Sequence, residues 1–217
     1  MIKAVIFDFD GLIIDTETPW YEAYKEVFSS YHIELPVEIW AECIGTTFHV
    51  FNPMDYLEER LGRAVDRDEI KKETKTRYSD KMKGQNVRPG VVNYLKEAKN
   101  EGLRIGLASS STRNWVESYL SEHELNQYFE VINTSDDVSK VKPDPELYIN
   151  TMTSLQVEGN ETVVFEDSLN GLRAAKAAGA HCVIVPNQVT AFMPFENYDL
   201  RLGSMAEMPL REVIARL

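Results

Sequence analysis

Cysteine is nearly missing from this sequence. Cys43 and Cys182 are the only two in 217 residues, far apart and in no CxxC pair. That excludes a disulfide framework; two thiols without framework spacing suit a reducing cytoplasm, where both are expected to be small buried apolar groups. Long apolar runs are missing too. None approaches the roughly 18 residues that a membrane-spanning helix requires, and Asp8 and Asp10 cut the N-terminal run too short for a secretory signal. There is no basic excess: 35 acidic residues against 23 Lys and Arg give a formal net charge of −12. Without surplus cations to displace counterions, a general nucleic-acid or anionic-membrane surface is not expected, although one phosphate in a locally basic pocket remains compatible. No repeat or low-complexity segment is visible. What is present, 43% hydrophobic and 27% charged residues, is the composition of a soluble globular protein. The length fits one ordinary domain plus a moderate insertion.

The first seventeen residues, MIKAVIFDFDGLIIDTE, carry the densest information. Lys3 to Phe9 is a mostly apolar, β-branched and aromatic run, as expected of a strand buried on both faces. It ends in Asp8 and Asp10, followed at once by Gly11. Residues two apart on a strand share a side, so persisting extended geometry would bring both carboxylates into one small volume. Like charges that close require a cation or a shared proton. Asp also ends strands and opens turns for purely structural reasons.

From residue 16 to 86 glycine becomes scarce and the apolar spacing turns helical: Trp20, Tyr24, Val27, Phe28 and Tyr31, then Ile39, Trp40, Cys43 and Ile44, then Met54, Leu57 and Leu61 closed by Gly62. Pro36 sits where a helix begins. Asp66 and Glu69 have capping-box spacing and open a charged helix reaching about Gly84, with Ile70, Tyr78 and Met82 inward. Four helices without a strand make a small bundle.

From Arg88 the pattern alternates. Helices are expected over 90–101, 112–124, 145–155, 168–178 and 210–217, and strands over 104–108, 129–133, 162–165 and 181–185, with a short edge strand at 200–202. Such alternation implies right-handed βαβ units and a mostly parallel sheet covered on both faces. The expected fold is therefore a doubly wound, Rossmann-like α/β core (residues 1–15 and 88–217) with a helical cap domain (16–87) inserted after the first strand. Residues 12–17 and 84–88 are the expected hinges. An insertion at a strand's carboxyl end lies over the ligand crevice of such a sheet and is placed to act as a lid.

Three later stretches could join the first. LASSST, residues 107–112, offers the hydroxyls and turn N–H groups of Ser109, Ser110 and Ser111, which can hold a phosphate oxygen or cap the next helix, as Thr112 can. KVKPDPE, residues 140–146, offers Lys142 as a point charge fixed by the following Pro143; Lys140 reads as a surface residue. FEDSLNG, residues 165–171, ends a strand in Glu166 and Asp167 and places Ser168 as an N-cap, where both acids also favour the helix N-terminus. Asp8, Asp10, Glu166 and Asp167 crowded against Lys142 call for a hard cation with oxygen ligands, for which Mg²⁺ is the natural choice. Spacing alone does not say which acid would attack.

DFDGLIIDTE, SSST, KPDPE and FEDSLNG together resemble the four motifs, in family order, of the haloacid dehalogenase superfamily, in its phosphatase and β-phosphoglucomutase-like branch. The resemblance implies Asp8 as a nucleophile forming an aspartyl-phosphate. It implies Asp10 as the acid that protonates the leaving oxygen and then activates water. Ser109, Ser110 and Lys142 are implied as phosphate-binding. Asp8, the backbone carbonyl of Asp10 and Asp167 are implied as Mg²⁺ ligands, with Glu166 as a further or water-mediated one. The expected activity is hydrolysis of a small phosphorylated metabolite, a sugar phosphate or phosphoglycolate, by a cytoplasmic monomer; a phosphomutase is the alternative. A mutase of this branch carries a histidine where Trp20 stands and an arginine in a cap loop where residues 45–50, GTTFHV, have none. That weakens the mutase reading, with His49 as a partial substitute. Lys72, Lys75 and Arg77 on the charged cap helix could reach a distal phosphate or lie on a solvated face.

Overall fold

The computed structural model describes residues 1–41 and 52–217. The expectations for Cys43, Ile44, His49 and the 45–50 stretch lie outside the described residues. Six strands, β1 (Ala4–Phe7), β2 (Arg104–Ala108), β3 (Val131–Asn133), β4 (Thr162–Glu166), β5 (His181–Ile184) and β6 (Leu200–Arg201), form one parallel sheet in the order β3-β2-β1-β4-β5-β6. β1 pairs with β2 on one side and β4 on the other. Strand order therefore reverses beside β1, which makes the crevice past the carboxyl ends of β1 and β4 the ligand position of a doubly wound sheet.

The apolar run of β1 follows from its central place. Ala4 and Ile6 enter one core cluster and Val5 and Phe7 the other, all fully buried. Phe7 stacks on Phe165 of β4 with ring centroids 5.1 Å apart, and Tyr94 meets Phe165 edge-on at 5.2 Å. Burying each such side chain contributes about 1.5–3 kcal/mol. Helices cover both faces. On the Phe7 face lie α5 (Val91–Asn100), α6 (Arg113–Glu122) and α9 (Leu210–Ala215), and on the Ile6 face α7 (Glu146–Leu155) and α8 (Leu169–Ala177). Gly106 lets α7 come close, since a Cβ there would sit 2.6 Å from the Thr151 methyl.

Between β1 and α5 the described residues hold only helices besides turns and isolated bridges: α1 (Glu17–Ser30), α2 (Val37–Ala41), α3 (Pro53–Leu61) and α4 (Arg67–Met82). Asn52 caps α3 by accepting from Met54 N–H, and Gly62 closes it at φ +66°. α1 lies along α4. Tyr24, Val27 and Phe28 share an apolar cluster with Leu57 and Ile70, while Arg77 pairs with Glu26 (2.7 Å) and Lys81 with Glu22 and Glu26 on the outer side. The two connections to the sheet touch each other: Ile14 bridges Val87, and Arg88 N–H donates to Ile13 O at 2.9 Å.

Local differences from the sequence expectations have physical reasons. β1 itself ends at Phe7 rather than Phe9, because the Phe9 carbonyl turns to accept the N–H groups of Leu12, Ile13 and Ile14. The third strand begins at Val131, not Phe129, since Asn126–Tyr128 forms a 3-10 turn ending on Phe129. Asp66 makes only its half of a capping box, accepting from Asp68 and Glu69 N–H. Thr112 makes no side-chain cap; Asp136 Oδ2 takes the Arg113 N–H instead, at 2.9 Å.

Candidate active site

The Asp8 N–H donates to Phe165 O at 3.0 Å, continuing the β1–β4 pairing one residue beyond β1. Asp8 and Asp10 thus leave β1 beside the point where Glu166 and Asp167 end β4. Both N-terminal acids line one cavity of about 800 Å³, although by way of a turn and not by strand alternation. Asp167, Lys142, Ser110 and Trp20 line it too. Glu166 is fully buried beneath it.

Lys142 is the hub. Its ammonium has three protons, and all are used: on Asp8 Oδ1, on Ala108 O at 2.8 Å and on Glu166 Oε1 at 2.7 Å. Its Nζ also lies over the Tyr148 ring, 4.8 Å from the centroid. The second Glu166 oxygen accepts from Asp167 N, Ser168 N and Ser168 Oγ, each at 3.0 Å. This carboxylate fits only because position 171 is glycine; a Cβ there would overlap it. Asp167 Oδ2 accepts from Asn187 Nδ2 at 2.8 Å. Gly11, at φ +80°, passes so close to the same oxygen that a Cβ would overlap it as well.

Asp8, Glu166 and Asp167 each offer a carboxylate oxygen within 4.8 Å of the others, all buried. One ammonium pairs with Asp8 and Glu166, and the Arg88 guanidinium is the favourable charge at Asp167. Burial alone would lower the Lys142 pKa, but Asp8 and Glu166 outweigh it and hold the ammonium above its usual range. Burial pushes the Asp8 and Asp167 carboxyls well up, with Glu166 adding repulsion and, at Asp8, Lys142 pulling the other way. The excess negative charge and the all-oxygen donor set fit a hard divalent cation.

Asp10 stands apart from that cluster. Its Oδ2 accepts from Ser111 Oγ (2.7 Å) and Ser109 Oγ (3.2 Å), and its Oδ1 from Trp115 Nε1 (2.9 Å). Ser109 is fully buried, and its hydroxyl also accepts the Ser111 N–H at 3.0 Å. Ser110 is exposed on the cavity wall. Opposite, α1 and α4 supply Glu17, Trp20, Lys75 and Tyr78. Trp20 stacks on Tyr78 with centroids 3.9 Å apart, forming part of the cavity wall. Glu17 is enclosed enough that burial, with Asp10 and Asp15, pushes its carboxyl up to about 8. Lys140 is exposed, 3.9 Å from Asp144.

Asp8, Asp10, Ser109, Ser110, Lys142, Glu166 and Asp167 thus gather at this cavity or directly beneath it; of the three cap-helix cations, Lys75 lines it and Lys72 and Arg77 do not. Sequence reasoning missed Trp115, Tyr148, Asn187 and Arg88, and it read Ser111 as a phosphate-holding group where its hydroxyl donates to Asp10. Tyr148 stands two residues after the KPDPE stretch. Arg88 donates to the carbonyls of Gly11, Val185 (3.0 Å) and Pro186 (2.8 Å), binding the turn after β1 to the end of β5; no local pattern announces that.

Comparison with known proteins follows the same lines. The family model for haloacid dehalogenase-like hydrolases matches residues 5–185. A Bacillus subtilis (strain 168) protein named as a phosphatase, YhcW, is 49% identical over 217 residues, covering 100% of this chain and 98% of that protein. The phosphorylated carbohydrates phosphatase of Thermotoga maritima is 33% identical over 180 residues, 82% of each chain. The crystal structure of CbbY from Rhodobacter sphaeroides in complex with phosphate superposes with a TM-score of 0.69 at 30% identity, covering 95% of this chain and 96% of that one.

Proposed function

The chain belongs to the haloacid dehalogenase-like hydrolase family, and from that premise we propose that it is a Mg²⁺-dependent phosphomonoester hydrolase acting through an aspartyl-phosphate on a small phosphorylated metabolite. One observation carries the reading: three buried carboxylates around a single buried ammonium, at the foot of a cavity large enough for a phosphorylated sugar. The phosphatase-named relatives support it.

Asp8, Asp167 and the Asp10 carbonyl would hold Mg²⁺. Glu166, whose oxygens already accept five hydrogen bonds, anchors Lys142 and at most reaches the ion through water. Held there, the ion would supply positive charge to the phosphoryl oxygens. Ser109, Ser110 and Lys142 take the phosphoryl oxygens, the Ser109 hydroxyl turning from Asp10 and one Lys142 N–H from Asp8 to do so. An Asp8 carboxylate oxygen attacks phosphorus while the ester oxygen leaves and takes a proton from Asp10. Water then attacks the aspartyl-phosphate and gives its proton to Asp10, which releases phosphate and restores Asp8. Residues 16–87 act as the cap over residues 1–15 and 88–217, hinging at 12–17 and 84–88. With Trp20 and Tyr78 in its wall, the cap excludes water that would otherwise compete.

The test is ³¹P NMR of a phosphomonoester panel, including β-glucose 1-phosphate, with Mg²⁺ or chelator and with or without glucose 1,6-bisphosphate. Inorganic phosphate released by wild type with Mg²⁺, and by neither chelated protein nor Asp8→Asn, is the expected result. Glucose 6-phosphate formed only with the bisphosphate would make the protein a mutase. Undiminished turnover in chelator would remove the metal from the reading.

A further inference from the structure

Asp10 has to present one carboxyl oxygen to the ester and then to water, so its orientation is part of the chemistry. Both oxygens are held from one segment, the turn after β2 and the first turn of α6. The hydroxyls of Ser111 and Ser109 take Oδ2, and the indole N–H of Trp115 takes Oδ1 at 2.9 Å. The two kinds of donor differ. A hydroxyl can reverse and accept, whereas an indole N–H only donates. The indole therefore pins Oδ1 as an acceptor, whereas the serine hydroxyls at Oδ2 can turn away or accept when that oxygen works.

The indole is itself fixed. Tyr119 meets it edge-on at 4.8 Å, and its face lies 6.4 Å from the Tyr78 ring at an interplanar angle of 24°. Tyr78 is stacked on Trp20. Trp115 and Tyr119 belong to α6 on the sheet, Tyr78 and Trp20 to α4 and α1 of the inserted helices. One indole thus touches the acid on one side and the insertion on another.

We propose that Trp115 is a positioning residue for Asp10, fixing Oδ1 so that Oδ2 faces the leaving oxygen, and tying that orientation to the seating of the inserted helices through Tyr78. The inference rests on the phosphomonoester hydrolase reading. It assigns a function to a side chain with no contact to the carboxylate cluster among its hydrogen bonds.

Two measurements test it. The chain has three tryptophans, so Trp115→Phe identifies the Trp115 indole signal in a ¹H–¹⁵N spectrum. Asp10→Ala should then move that signal upfield while leaving the Trp40 signal in place. In kinetics, phenyl phosphate has a poor leaving group that needs a proton, and p-nitrophenyl phosphate a good one that does not. Trp115→Phe keeps an aromatic ring against Tyr78 and should lower kcat/KM for phenyl phosphate by roughly tenfold or more, yet for p-nitrophenyl phosphate by less than about threefold. Equal losses on the two esters, or an indole signal indifferent to Asp10→Ala, would overturn the proposal. Should Trp115→Phe not fold, the indole of the Asp10→Ala protein, assigned through the remaining signals, decides alone. Should wild type hydrolyse no phosphate ester with Mg²⁺, the hydrolase reading fails, and the indole signal still reports whether Trp115 holds Asp10.

Discussion

The Tyr148 hydroxyl donates to Glu166 Oε1 at 2.7 Å, on the same oxygen that takes the Lys142 ammonium at 2.7 Å. Glu166 is thereby filled from both sides, and its work is to keep Lys142 charged and aimed at Asp8. Removing the ammonium leaves Asp8 and Glu166 buried together without their counter-charge. Lys142→Ala should abolish turnover and, in chelator, cost about 3–5 kcal/mol of stability, the usual consequence of orphaning one side of a buried ion pair. Lys140→Ala removes an exposed charge and should change stability by less than about 0.5 kcal/mol with activity intact. Urea denaturation and phosphate release on both variants check this; the reverse ranking would mean that the lysine at the site has been misassigned.

Much of this arrangement was legible before any coordinates. Strand–helix alternation is a local signal, and the inserted helices announce themselves by apolar spacing; Ile70, Tyr78 and Met82 lie inward as that spacing requires. The acids were legible because they sit at or just past strand ends in distinctive short strings, and Lys142 because it opens the KPDPE string before α7. What stayed hidden depends on contacts between distant segments. Arg88 reaches across 97 residues to Val185, and Asn187 approaches Asp167 from the loop after β5. Trp115 looked like any apolar residue of an amphipathic helix until its N–H met Asp10. The turn at Phe9 was hidden differently: the strand-like composition of FDF continues past the point where Leu12, Ile13 and Ile14 compete for its carbonyl.

Glu17 gives a pH prediction. Its carboxyl is raised from 4.5 to about 8 by burial and by Asp10 and Asp15. The folded state therefore holds this proton more tightly than the unfolded chain. Its contribution is fully present below pH 4.5 and is lost as pH rises toward 8. Glu17→Gln removes that loss. In metal-free protein, the Tm gain of Glu17→Gln over wild type should be small at pH 5 and largest at pH 9. A gain independent of pH would place the Glu17 carboxyl in water.

The metal should show the same linkage from the other side. Asp8 and Asp167 are raised well above 3.8, chiefly by burial. Without a cation, their stability contribution is present below that value and declines as pH rises through their raised range. Mg²⁺ binds the ionised forms and must displace protons at lower pH. Thermal melts should therefore show a larger Mg²⁺-induced rise in Tm at pH 8 than at pH 5, and calorimetry should show proton release on binding at the lower pH. An equal rise at both would separate the metal from these two carboxyls.

Arg88 tests whether the connection between sheet and inserted helices is held as its hydrogen bonds indicate. Its guanidinium donates to three carbonyls, Gly11, Val185 and Pro186, and Asp167 and Asp15 favour its charge although burial opposes it. Alanine would leave those carbonyls facing a cavity that water enters only in part, so Arg88→Ala should lose about 2–3 kcal/mol in urea denaturation. Lysine restores the charge but not the planar fork that spans Gly11 and Pro186 together, and should recover less than half of the loss. Because Gly11 borders Asp167, the alanine variant should also weaken Mg²⁺-dependent stabilisation. Full recovery by lysine would mean that charge, and not the fork, holds the turn after β1 against the end of β5.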